Sequence, residues 1–229
     1  MHFYFKVLLL SLSSLIFNVH ATGLNFWETS TLNSSLASAN GASATDASIL
    51  ALAPSSISQL DESNISASLM YYGVTTDYNI FGSETDYNTK NPIPMGFFVT
   101  PIDESYFFGL AIYSRTAADI TVPTIPLVHP KETRVTPIMV SVSPSVAYKL
   151  NNVSFAVSLE YLYNPYTLEQ TTCLINVCDT FIQEDKTSGW AGALSTTWQI
   201  TSSRSIAFTH RLSTSFSDDN IVVELPSIT

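Results

Sequence analysis

The chain has 229 residues, with 9 basic and 19 acidic side chains, a formal net charge of −10 and an apolar share of 45%. So few cations exclude an electrostatic nucleic-acid binder, because phosphate neutralisation supplies that affinity. So apolar a composition also excludes a disordered chain. The charged share, 12%, is about half that of an ordinary soluble domain, and 11 Tyr, 13 Phe and 3 Trp further separate it from a water-facing surface. Beyond the N-terminus no run reaches the roughly 20 apolar residues of a membrane helix.

In chain order, Lys6 precedes the apolar stretch Val7 to Phe17, followed by Val19-His20-Ala21. A positive start, an apolar run and small residues before a cleavage point predict a signal peptide at 1–21, cut after Ala21, and hence export. An uncleaved anchor is the alternative, but the segment is short for a span. Residues 22–63 are rich in Ser, Ala and Asn and poor in charge. They read either as a flexible lead-in or as a compact plug whose small residues pack closely.

From Asn64 the pattern changes to period 2, which places alternate residues on opposite faces of a strand. The clearest case is Ile138, Val140, Val142, Pro144, Val146 and Tyr148 against Met139, Ser141, Ser143, Ser145 and Ala147. It resumes after Asn151-Asn152 as Val153, Phe155, Val157, Leu159, Tyr161 and Tyr163 against Ser154, Ala156, Ser158 and Glu160. Further strands are expected near 64–75, 93–101, 105–114, 188–199, 204–215 and 220–226. Short connections at 102–104, 150–151 and 200–203 alternate with long ones at 76–92, 115–135 and 164–187. Strands of about 10 residues with alternating short and long connections predict an antiparallel transmembrane β-barrel of outer-membrane type, residues 64–229, an all-β fold. Tyr71, Tyr72, Tyr113, Tyr148, Tyr161, Tyr163, Trp190 and Trp198 lie where aromatic girdles belong.

Cys173 and Cys178, with four residues between them and no His nearby, favour a small-loop disulfide over a metal site, in keeping with export. His210 and Ser213 suggest a lipid hydrolase only weakly, because a triad also needs an oriented carboxylate. The chain has no Gly-x-Ser-x-Gly elbow, phosphate loop or His-Glu-x-x-His motif. No enzyme activity, cofactor or metal is expected.

Thr22-Gly23-Leu24-Asn25-Phe26-Trp27-Glu28, the Ala/Ser run, Thr45-Asp46-Ala47-Ser48 and Ala53-Pro54-Ser55 resemble the N-terminal hatch of the long-chain fatty-acid outer-membrane transporter (FadL/TodX-like) family. Gly23, Glu28, Asp46, Ala47 and Pro54 carry the match, while Ala53 and Ser55 stand where the family has Asn and Ala. Pro94-Met95-Gly96-Phe97-Phe98, Phe107 to Tyr113, Ser143 to Lys149 and Gly189 to Leu194 are similar to family strands in the same order. The resemblance implies a 14-strand barrel of the bacterial outer membrane closed inside by residues 22–63. It also implies passive transport of fatty acids or other hydrophobic molecules, such as aromatic hydrocarbons, with outer-membrane lipid around it.

At about 20 residues per strand and connection, residues 64–229 hold only some seven or eight strands. That leaves a truncated product, a half completed by a second chain, or a self-closed eight-strand barrel. If Phe155 and Val157 face lipid, Glu160 faces inward; if Ile206, Phe208 and Leu212 face lipid, Arg211 faces inward too. Arg211 and Glu160 are thus candidate ligand contacts, Arg211 by a charge-assisted bond to a carboxylate. A structural ion pair within the lumen is the simpler reading of the same two residues. A structural or adhesive surface barrel without transport is the other functional class.

Overall fold

The computed structural model describes residues 29–80, 83–117, 120–122, 133–174, 177–201, 203–212, 216–218 and 222–223. The predicted signal peptide at 1–21, the motif residues Gly23 and Glu28, and Ser213 lie outside the described residues.

Ten strands form one antiparallel sheet: β1 (Asn64–Ile80), β2 (Ser83–Pro101), β3 (Tyr106–Ala117), β4 (Ile120–Val122), β5 (Thr133–Leu150), β6 (Val153–Leu174), β7 (Val177–Thr201), β8 (Arg204–Arg211), β9 (Phe216–Asp218) and β10 (Val222–Val223). β4 continues β3 along β5, and β8, β9 and β10 all run along β7. The sheet therefore has seven rows, half of the fourteen expected for a complete barrel. Among the described residues β1 pairs only with β2, and β8 to β10 pair only with β7. The sheet is open, so the self-closed eight-strand reading is not the arrangement found.

Side-chain parity follows the sequence. Ser154, Ala156, Ser158 and Glu160 are buried on one face of β6, while Phe155, Val157 and Leu159 are exposed on the other. On the exposed face, one register row joins Tyr106, Tyr148, Phe155 and Phe208, with the Tyr106 and Tyr148 rings 5.0 Å apart. Another joins Ile112, Val142, Tyr161 and Trp190, with the last two rings also 5.0 Å apart. Six residues of β6 separate Phe155 from Tyr161, about 20 Å at the usual rise, and Val157, Leu159 and Leu194 fill the interval. Aromatics at both ends of an aliphatic band of that height are what a bilayer selects for. Tyr113 departs from the expected girdle. It shares parity with Phe107 and Ala111 and is buried on the inner face.

Two expected long connections are corrected. Residues 76–92 belong mostly to the β1–β2 hairpin, and residues 164–187 to the β6–β7 hairpin. Thr, Asn, Asp and Glu dominate these stretches, and their apolar residues, among them Tyr78, Ile80, Leu168 and Phe181, are too scattered for a sustained alternation of hydrophobicity. Above the membrane a strand needs only its ladder bonds. The short connections are where the sequence puts them. Asp103 Oδ1 accepts from the Ser105 and Tyr106 amides, both at 2.7 Å, closing the first. Asn151 adopts φ 55° in the second, a conformation Asn tolerates better than branched residues.

Residues 29–63 contain no strand. Helix α1 (Thr31–Ser35) is capped by the Ser30 hydroxyl, which accepts from the Asn33 amide. A first 3₁₀ turn (Ala47–Ala51) is capped by Asp46, and a second (Pro54–Gln59) starts on Pro54, whose missing N–H costs nothing there. These two short turns touch strands in all seven rows. Seven flat rows would span about 29 Å, while a five-residue 3₁₀ turn is only about 10 Å long. The sheet must therefore curl around the segment.

Asn151→Val is expected to lower stability by about 1–2 kcal/mol in urea unfolding of the membrane-reconstituted protein, with Asn151→Gly close to neutral. The register also sets Cys173 directly opposite Cys178, within the range of Cα separations a disulfide accepts. The oxidised protein should gain two hydrogens in mass on reduction, with little loss of stability because the closed loop is short.

Candidate functional site

The concave face divides into an apolar side and a hydroxyl side. On the apolar side, Ile49 and Leu50 of the first 3₁₀ turn and Ile57 of the second pack with Ile93, Met95 and Phe97 of β2 and with Phe107 and Tyr113 of β3. Gly109 is the seat for Leu50, since a Cβ there would overlap the Leu50 methyls. On the hydroxyl side, Ser55 Oγ lies 2.7 Å from both Ser195 Oγ and Thr197 Oγ1. Ser56 Oγ lies 2.8 Å from Thr197 Oγ1, and Ser58 Oγ donates to Ser154 Oγ at 2.6 Å. Buried polar groups must be bonded, and paired hydroxyls meet that need without burying charge.

Of the sequence-identified hatch residues, the structure describes three. Asp46 Oδ1 accepts from the Ser48 amide and hydroxyl, Ala47 is buried against the sheet with its amide donating to Asn64 Oδ1, and Pro54 opens the second 3₁₀ turn. They shape the segment rather than the charged site.

That site is built on Glu160, only 2% exposed. Its Oε2 is 3.1 Å from Arg115 Nη1 and its Oε1 3.3 Å from Arg211 Nε. Arg211 Nη2 also donates to the Ala51 carbonyl, tying the outermost row of the sheet to the N-terminal segment. The space for two guanidinium groups comes from small neighbours. Ala191 pairs with Glu160 and Ala193 with Arg211, and the register on either side sets Ser143 of β5 opposite Glu160. Tyr113 lies beside the cluster. Ser141, paired with Tyr113 across β3 and β5, is fully buried, and its hydroxyl has no hydrogen-bond partner. One carboxylate against two guanidiniums leaves the cluster a net positive charge.

Sequence reasoning brought together Glu160 and Arg211 but missed Arg115. It occupies a bulge in β3, where the register shifts between Ser114 and Thr116. The Ser114 hydroxyl satisfies the Met139 carbonyl there. The only sequence signal was a lone cation in an otherwise uncharged stretch. The bulge has a second effect, since an extra residue increases local twist. Among the described residues the β2–β3 ladder ends at Gly96 and Ile112. Beyond it β2 continues with β1, and β3 with β5. The wall splits beside the charged cluster. His210 projects outward opposite Leu194, away from the cluster.

The chain matches the model of the outer membrane protein transport protein family (OMPP1/FadL/TodX) over residues 13–219. No curated protein sequence matches it. Among solved structures it is similar to a Pseudomonas aeruginosa FadL homologue, with a TM-score of 0.59 at 15% identity, over 83% of this chain and 52% of that one. At that identity the likeness concerns the fold, and the chain spans about half of the solved structure.

Glu160→Gln should cost about 3 kcal/mol in urea unfolding, because it leaves two largely buried guanidiniums without their carboxylate. Combining it with Arg115→Met and Arg211→Met should recover most of that loss.

Proposed function

Because the chain belongs to the OMPP1/FadL/TodX family of outer-membrane transport proteins, we propose that it serves passive entry of hydrophobic small molecules across the bacterial outer membrane. Long-chain fatty acids fit its inner wall best. Residues 22–63 act as the plug, and the sheet works within a closed barrel whose remaining rows come from further β-strands. Family membership concerns transport rather than catalysis, and no step here needs a cofactor or energy source.

The observation that carries this reading is the net positive Arg115–Glu160–Arg211 cluster placed next to an apolar stripe, Ile93, Met95 and Phe97. A fatty acid presents the matching pair, an anionic head and an alkyl tail. Its carboxylate would compete with the Ala51 carbonyl for Arg211 Nη2, a charge-assisted bond replacing a neutral acceptor, and the unpartnered Ser141 hydroxyl offers a further donor. An aromatic hydrocarbon would use the stripe alone.

Two routes for the ligand can be compared, and electrostatics separates them. At the short-turn end, an open cleft of about 550 Å³ is lined by Asp61, Asp103 and Glu104 against Lys149 alone among charged groups. It repels a carboxylate and is wet, which suits neither end of the ligand. The split between β2 and β3 opens toward lipid, where an alkyl tail loses no hydrophobic stabilisation. The ligand therefore leaves sideways.

At equal amounts of protein in the outer membrane, Arg211→Ala is expected to slow oleate uptake about tenfold, the worth of one charge-assisted bond. Unchanged uptake would leave the cluster as a structural ion pair. Absence of oleate and toluene uptake in the parent protein would favour a surface barrel without transport.

A further inference from the structure

The split needs a closure when no ligand passes, and one side-chain pair lies across it. Phe97 of β2 and Tyr113 of β3 stack across the two strands on the inner face, with ring centroids 6.3 Å apart and planes within 26°. Phe97 pairs with Ala111, one step inside the last ladder pair, and Tyr113 lies one residue beyond that pair. The contact therefore bridges the point where the backbone ladder stops. Ile112 contributes a side chain to the outer face there, but Gly96 opposite carries none, and the space where its Cβ would stand is open. At this point of the β2 side, the wall is thin.

We propose that Phe97 and Tyr113 form the inner seal of the β2–β3 split and select ligands by the width of the tail next to the head group. This rests on the transport reading above. Tyr113 lies beside the Arg115–Glu160–Arg211 cluster, so a carboxylate held there brings its first carbons against the two rings. Offset stacked rings separate by sliding, which admits a single alkyl chain. A tail branched at the second carbon must displace both rings at once. The pair thus favours unbranched carboxylates over branched ones.

The test compares uptake of palmitate with that of 2-hexyldecanoate by the full chain in the outer membrane. Phe97→Ala, and separately Tyr113→Ala, should raise the branched-to-unbranched uptake ratio about tenfold, the usual worth of a lost steric contact in a hydrophobic site. An unchanged ratio in a parent that carries palmitate overturns the proposal. A second readout does not depend on transport. In a Cys173→Ser, Cys178→Ser background, Ala111→Cys, on the inner face opposite Phe97, should react several-fold faster with a lipid-soluble maleimide once Tyr113→Ala is added. Equal rates overturn the seal. Faster labelling in a protein that carries no palmitate supports the seal and sinks the transport reading instead.

Discussion

A peptide group in hydrocarbon has no water to bond to, and the rest of this structure depends on meeting that demand. Each unsatisfied N–H or C=O there costs several kcal/mol, so the chain crosses as paired strands, with every row taking its partners from its neighbours. Pairing in turn enforces alternation. Phe155, Val157 and Leu159 face the lipid because Ser154, Ala156, Ser158 and Glu160 do not. The composition is a by-product of the same demand. Few charges are tolerated on the outer face, and the inner face has room for small hydroxyls because the backbone needs nothing from them.

Those small hydroxyls decide how the N-terminal segment is held. Ser55, Ser56 and Ser58 meet Ser154, Ser195 and Thr197 in neutral bonds, each contributing on the order of 1 kcal/mol net. Such bonds exchange readily with water. Leu50 over Gly109 and the Ile49 and Ile57 contacts supply the apolar share. The docking is therefore distributed over many modest contacts, and among the described residues only Arg211 on the Ala51 carbonyl brings a formal charge to the junction.

The legible parts of the molecule are those where one physical rule acts alone. The hairpin around Asn151 can be read residue by residue because the lipid imposes parity on one face and the turn imposes its geometry. The same parity suffices to send Glu160 and Arg211 inward. The hairpins at 76–92 and 164–187 are not legible as strands, since outside the bilayer both faces are wet and alternation disappears. Arg115 is hidden for another reason. It sits in a bulge, the feature that interrupts the period on which parity depends. Tyr113 is misplaced among the girdle aromatics because an aromatic next to a strand end looks alike on either face. Its burial depends on Phe97 and the plug, both distant in sequence.

Seven rows is an odd number, and that has a geometric consequence. Neighbouring strands alternate in direction, so the first and last rows, β1 and β8 to β10, point the same way through the membrane. Two copies of this sheet laid edge to edge in one bilayer would meet head-to-head with head-to-head, forming parallel junctions. Antiparallel closure requires an insert whose two outer strands both point the opposite way, which only an odd number of strands provides. Two copies of this seven-row sheet alone cannot meet that requirement.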